Sequence, residues 1–134
     1  MPSGESDVMS RRRTKVLIVE DNDDLRNLFR TALAIEGFDV QEARNGLDAL
    51  HRLDQDPPDV VILDINLPLV SGVAVREQIA AHSATRHIPV VVVTGSAENF
   101  DALNVPCIIR KPVSPTELVT AVRKCLASGG SMAS

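Results

Sequence analysis

The chain has 134 residues, enough for one domain with a single substantial core. With 44% hydrophobic and 24% charged residues its composition is that of a globular protein, which excludes a disordered chain. A net charge of −4, only 2% aromatics and no Trp or Tyr leave little for charge- or stacking-based recognition of nucleic acid.

No apolar run approaches a membrane span, so no transmembrane segment is expected. A signal peptide is not expected either. Met1 to Ser10 is polar, and Arg11-Arg12-Arg13 leads into a strand pattern instead of an apolar segment with a cleavage site. The cytoplasm is the expected compartment. The basic run reads as a solvated arm, not a binding patch. Cys107 and Cys125 fit neither a metal spacing nor a disulfide framework, and read as buried small hydrophobes.

Residues 1–13 lack periodicity and read as a flexible arm, residues 14–127 as one domain, and residues 128–134 as a disordered tail. Lys15 to Val19 is the first buried strand and ends in Glu20-Asp21. A helix follows from Asn22 or Asp23, with Leu25, Leu28, Phe29, Ala32 and Leu33 as its apolar stripe and Gly37 as its stop. Phe38 to Ala43 alternates as an outer strand would, and Asn45-Gly46 marks a turn. Leu47, Leu50 and Leu53 give a second helix closed by Asp56-Pro57-Pro58.

Val60-Val61-Ile62-Leu63 runs unbroken into Asp64, the signature of a parallel strand covered on both faces. Leu67-Pro68 stops it, and Ser71-Gly72 opens a third helix facing inward through Val75 and Ile79. Ile88 to Val93 is the fourth strand and Val105 to Ile109 the fifth, ending in Arg110-Lys111-Pro112. Ser114-Pro115-Thr116-Glu117 is a capping box that starts a last helix. Leu118, Ala121, Val122, Cys125 and Leu126 form its stripe, and Ser128-Gly129-Gly130-Ser131 ends the order. Strands alternating with helices predict an α/β fold. The expectation is a doubly wound five-stranded parallel sheet, flavodoxin-like, with the order 2-1-3-4-5 usual for that class.

Such sheets place ligands beyond the carboxyl ends of their strands. Four strands end there in polar residues: Glu20-Asp21, Asp64, Thr94 and Lys111. Read singly, these are helix-start acids, a cap, a turn residue and a solvated lysine. Read together, three converging carboxylates require a cation, and hard oxygen donors without His or Cys favour Mg²⁺. A carboxylate, a divalent ion, a hydroxyl and an ammonium are the parts that phosphoryl transfer requires.

Val19-Glu20-Asp21-Asn22, Leu63-Asp64-Ile65-Asn66-Leu67-Pro68 with Gly72, Val93-Thr94-Gly95 and Arg110-Lys111-Pro112 together resemble the receiver domain of bacterial two-component response regulators. The resemblance spans about Thr14 to Ala127. It implies that Asp64 accepts a phosphoryl group from a phosphohistidine of a sensor histidine kinase or histidine phosphotransfer protein. It further implies Mg²⁺ held by Glu20, Asp21, Asp64 and the carbonyl of Asn66, with Thr94 and Lys111 contacting the phosphoryl oxygens. The chain is then a signalling switch or phosphorelay intermediate, not an enzyme, acting on an unnamed effector without direct DNA or membrane binding.

Two departures stand out. Ile108 occupies a position where such domains often carry an aromatic residue. Only sixteen residues (95–110) separate Thr94 from Lys111, which leaves a short or irregular fourth helix within Ala97 to Leu103.

A haloacid-dehalogenase-like phosphatase is the enzyme alternative, but it wants an acid where Asn66 stands, and its acidic pair follows the nucleophile. A pseudo-receiver that only docks partners is the third reading. Dinucleotide binding fails because no Gly-rich loop follows the first strand.

Overall fold

A computed structural model describes residues 12–95 and 107–132. The strands are β1 (Lys15–Val19), β2 (Asp39–Ala43), β3 (Val60–Asp64), β4 (Val90–Thr94) and β5 (Cys107–Arg110). The helices are α1 (Asp23–Ile35), α2 (Gly46–Gln55), α3 (Gly72–Ala81) and α4 (Pro115–Met132). All strand pairs are parallel, in the order β2-β1-β3-β4-β5, as expected.

The two-residue period of a strand divides the core. Val16 and Ile18 of β1 and Val60 and Ile62 of β3 face one way, where Phe29 and Leu33 of α1 and Leu118 and Val122 of α4 cover them. Leu17, Val19, Val61 and Leu63 face the other way, onto Ala49 and Leu53 of α2 and Val75 and Ile79 of α3. An unbroken apolar strand is therefore useful on both faces, which is why β3 reads as it does.

Each helix start has a side-chain cap that satisfies an otherwise orphaned N–H. Asn22 Oδ1 accepts from Leu25 N at 2.9 Å, and Ser71 Oγ from Ala74 N at 3.1 Å. Asn45 does the same for Asp48 N at 2.8 Å, so Asn45-Gly46 is a helix start and not merely a turn. The predicted capping box is present: Glu117 N donates to Ser114 Oγ at 3.1 Å, and Ser114 N to Glu117 Oε1 at 3.4 Å. Gly37, at φ 94°, closes α1 while Gly37 N and Phe38 N return to the carbonyls of Ala34 and Leu33.

Several expectations are corrected. Phe38 precedes β2 and is buried beneath Arg123, whose guanidinium lies 6.0 Å from the ring centroid. Ile88 lies before β4, in the core against α2 and α3. In the stripe of α1, Phe29 and Leu33 are buried and Leu25 packs against the same core, but Leu28 is exposed and Arg26 is buried. Helix α4 continues to Met132, past Ser128, where the sequence pattern put the end of order. Glycine disfavours a helix interior by about 1 kcal/mol without forbidding it.

The cysteines are not free hydrophobes: Cys107 and Cys125, 18 positions apart in sequence, are bridged with their Cα atoms 6.1 Å apart. Packing of α4 on β5 makes that proximity, which spacing alone does not reveal. Residues 1–11, the expected fourth helix within Ala97 to Leu103 and the start of the fifth strand at Val105 lie outside the described residues. Among the described residues, no helix is long and apolar enough to cross a membrane.

Candidate functional site

Every polar strand end predicted from sequence arrives at one edge of the sheet. Glu20 directly follows β1, and its N–H donates to Ala43 O of β2 at 3.1 Å. Asp64 is the last residue of β3, and Thr94 the last of β4. Lys111 follows β5, its N–H donating to Thr94 O at 2.8 Å, and its peptide bond to Pro112 is cis. Glu20, Asp64 and Thr94 are buried, whereas Asp21 and Asn66 are exposed.

Carboxylate oxygens of Glu20, Asp21 and Asp64 lie within 4.8 Å of one another. The Lys111 ammonium sits between two of them, 3.1 Å from Asp64 Oδ2 and 3.3 Å from Glu20 Oε1. Asp64 Oδ1 accepts from the backbone N–H of Asn66 at 3.0 Å. Glu20 Oε2 accepts from Asn22 N at 3.1 Å, but Oε1, though near the ammonium, accepts no aligned hydrogen bond.

Burial, with the charge of Asp64 added, raises the Glu20 pKa from 4.5 to about 7, against the opposing pull of the Asn22 N–H and Lys111. Burial acts to lower the pKa of Lys111, but Asp64 and Glu20 outweigh it and the ammonium is held above its usual range. The site is thus short of positive charge. A buried carboxylate oxygen without a hydrogen bond, beside two more carboxylates, fits a small hard cation such as Mg²⁺.

The loop after β3 turns back sharply, and Gly72 N donates to Ile65 O at 3.1 Å. A Cβ on Gly72 would overlap the Asp64 carbonyl oxygen and lie 2.5 Å from Ile65 Cα. Glycine here lets α3 start directly against the end of β3. Ile108, in the place expected for an aromatic ring, is half-buried against Ile65 and Val92.

One residue of the site is not evident from the sequence pattern. Arg26 of α1 is buried, and its Nη1 donates to Glu20 O at 2.9 Å. Its Nε donates to Glu42 Oε1 at 3.2 Å, and Nη2 to Asp23 Oδ1. The guanidinium fork therefore fixes the backbone beneath Glu20 and ties α1 to β2. The available signal was its helical spacing from Phe29 and Leu33, three and seven positions on.

This arrangement can hold an ionised carboxylate, a cation and an ammonium around one incoming anion. Residues 16–123 match the family model described as the response regulator receiver domain. The polar-differentiation response regulator DivK of Brucella anthropi is 34% identical over 116 residues, covering 83% of this chain and 94% of that protein. The bacteriophytochrome response regulator AtBRR is similar in structure, with a TM-score of 0.74 at 32% identity over 85% of this chain and 93% of that one. The chemotaxis response regulator CheY4 of Vibrio cholerae shares the fold, with a TM-score of 0.79 at 24% identity, covering 84% and 98%. The phosphatase and docking-module alternatives are not favoured by these matches. The chain belongs to the response regulator receiver domain family, and is a phosphoacceptor module of two-component signalling.

Proposed function

We propose that Asp64 accepts the phosphoryl group, that Lys111 and Thr94 contact its oxygens, and that Glu20, Asp21, Asp64 and the carbonyl of Asn66 hold Mg²⁺. The observation that carries this is the setting of Asp64 at the end of β3, 3.1 Å from the Lys111 ammonium and within 4.8 Å of two further carboxylates.

The donor is a phosphohistidine of a sensor histidine kinase or a histidine phosphotransfer protein. A carboxylate oxygen of Asp64 forms the new bond to phosphorus while the phosphorus–nitrogen bond breaks, and its electron pair stays with the imidazole. No base is required, because the carboxylate already carries its charge. Lys111 neutralises Asp64 before transfer and faces a phosphoryl oxygen afterwards. Thr94, at the end of the neighbouring strand, offers a hydroxyl to another. Bound Mg²⁺ supplies neutralisation of the phosphoryl oxygens, which the single ammonium cannot provide alone.

The chain promotes only its own phosphorylation and dephosphorylation, and works in the cytoplasm as a switch or relay intermediate read by a downstream effector. Incubation with Mg²⁺ and acetyl phosphate, followed by intact mass measurement, tests the assignment. Wild type is expected to gain one base-labile phosphoryl group, and Asp64→Asn none while keeping its fold. A phosphoryl group retained on Asp64→Asn would place the acceptor elsewhere.

A further inference from the structure

We propose that Cys107 and Cys125 form a reversible redox site, opened and closed by thiol–disulfide exchange that enters at Cys107. These are the only two cysteines in the chain, and they are bridged between β5 and α4. Nothing in the phosphoryl chemistry uses them.

The two sulfurs are placed unequally. Cys107 opens β5, an edge strand of the sheet, and is half-buried. Cys125 is 1% exposed within the core formed with Leu118 and Val122. An attacking thiolate needs access to the sulfur it strikes, so the reachable end is Cys107. Cys125 is then the leaving sulfur. Val90 O lies 3.8 Å from Cys125 Sγ. A bridged sulfur has no hydrogen to give that carbonyl, whereas a reduced one does. The pocket accordingly suits Cys125 in both states.

The chemistry balances with a glutathione-type couple. On opening, one external thiolate bonds to the Cys107 sulfur as the bridge breaks, and Cys125 leaves and takes up a proton. A second external thiol displaces Cys107 and yields the external disulfide. Two electrons and two protons pass to the protein. Closing runs in reverse: Cys107 forms the mixed disulfide, and Cys125 then expels the external thiol.

The full-length protein, folded throughout, is equilibrated in buffers of varying reduced-to-oxidised glutathione ratio. It is then quenched in acid, unfolded, alkylated with N-ethylmaleimide and weighed. Two alkylated thiols are expected at the reducing end and none at the oxidising end, with the same curve from either direction. In Cys125→Ser, oxidised glutathione should leave a mixed disulfide on Cys107. In Cys107→Ser, Cys125 should remain unmodified until the protein unfolds. Two free thiols at every ratio would overturn the proposal, as would a bridge that opens only on unfolding. Faster modification of Cys125 than of Cys107 would overturn the assigned point of entry.

Discussion

Glu20 makes the stability of the metal-free protein depend on pH in an unusual direction. Its carboxyl is buried, and its pKa rises from 4.5 to about 7 on folding. Between those values the folded chain keeps a proton that the unfolded chain has released. Stability therefore falls as pH rises through this window, opposite to the behaviour of a salt-bridged carboxylate. With 1.36 kcal/mol per pKa unit, the shift from 4.5 to about 7 corresponds to a loss on the order of 3 kcal/mol. Urea unfolding in chelator, from about pH 5 to about pH 8, measures it against Glu20→Gln. The variant keeps the shape but cannot ionise. Other titrations are common to both proteins, so the difference between their profiles isolates Glu20. Wild type should lose stability relative to the variant as pH rises, and millimolar Mg²⁺ should restore most of it at the alkaline end. Parallel profiles in chelator would refute the reasoning, because they would mean that Glu20 ionises without cost.

Lys111→Met should slow phosphoryl transfer to Asp64 by about a hundredfold, since one charged donor to the phosphoryl oxygens is lost; a time course of intact mass reads this. The same variant should displace the wild-type pH profile towards higher pH, because Glu20 and Asp64 then face each other without the ammonium. Gly72→Ala should cost about 2–3 kcal/mol in urea unfolding, because the added methyl meets backbone at Asp64 and Ile65. Arg26→Met should destabilise by about 2–3 kcal/mol, leaving the Glu20 carbonyl without this donor and Glu42 with only the longer contact to Arg30. Arg26→Lys should recover little of that, since an ammonium cannot span three acceptors as the fork does.

What could be read from sequence and what could not differ in physical origin. The strand ending in Asp64 and the capping box at Ser114 and Glu117 are local patterns, and each is present as expected. Parallel pairing then carries Glu20, Asp64, Thr94 and Lys111 to one edge, because the strands share a direction. Arg26 escapes a count of apolar positions, which takes a guanidinium as solvent-facing. Its burial depends on a main-chain carbonyl six residues earlier in the chain. The same count places Leu28 in the stripe, where it is exposed. The cysteine bridge depends on how α4 lies across β5, a tertiary fact that no spacing encodes. Phe38 fits a strand by pattern, yet the closure of α1 at Gly37 uses its N–H first.

The site lies between two clamps of different chemistry. Its acidic side rests on β1, where the Arg26 fork holds the Glu20 carbonyl and reaches Glu42 of β2. Its basic side rests on β5, which among the described residues is an edge strand paired only with β4. Edge pairing alone holds a strand less firmly than pairing on both sides, yet Lys111 has to meet Asp64 and Glu20 across the gap. The bond from Cys107 to Cys125 compensates at the start of that strand by joining it to α4. α4 is held in turn by Leu118 and Val122 in the core, and by Arg123, which lies 2.7 Å from Glu36 at the end of α1. The ammonium therefore hangs from a strand secured at its start by a covalent link and at its end by Lys111 N–H on Thr94 O. The carboxylates belong to strands buried in the middle of the sheet. The ammonium of the site thus reaches in from an edge strand, and the carboxylates it meets are carried by central ones.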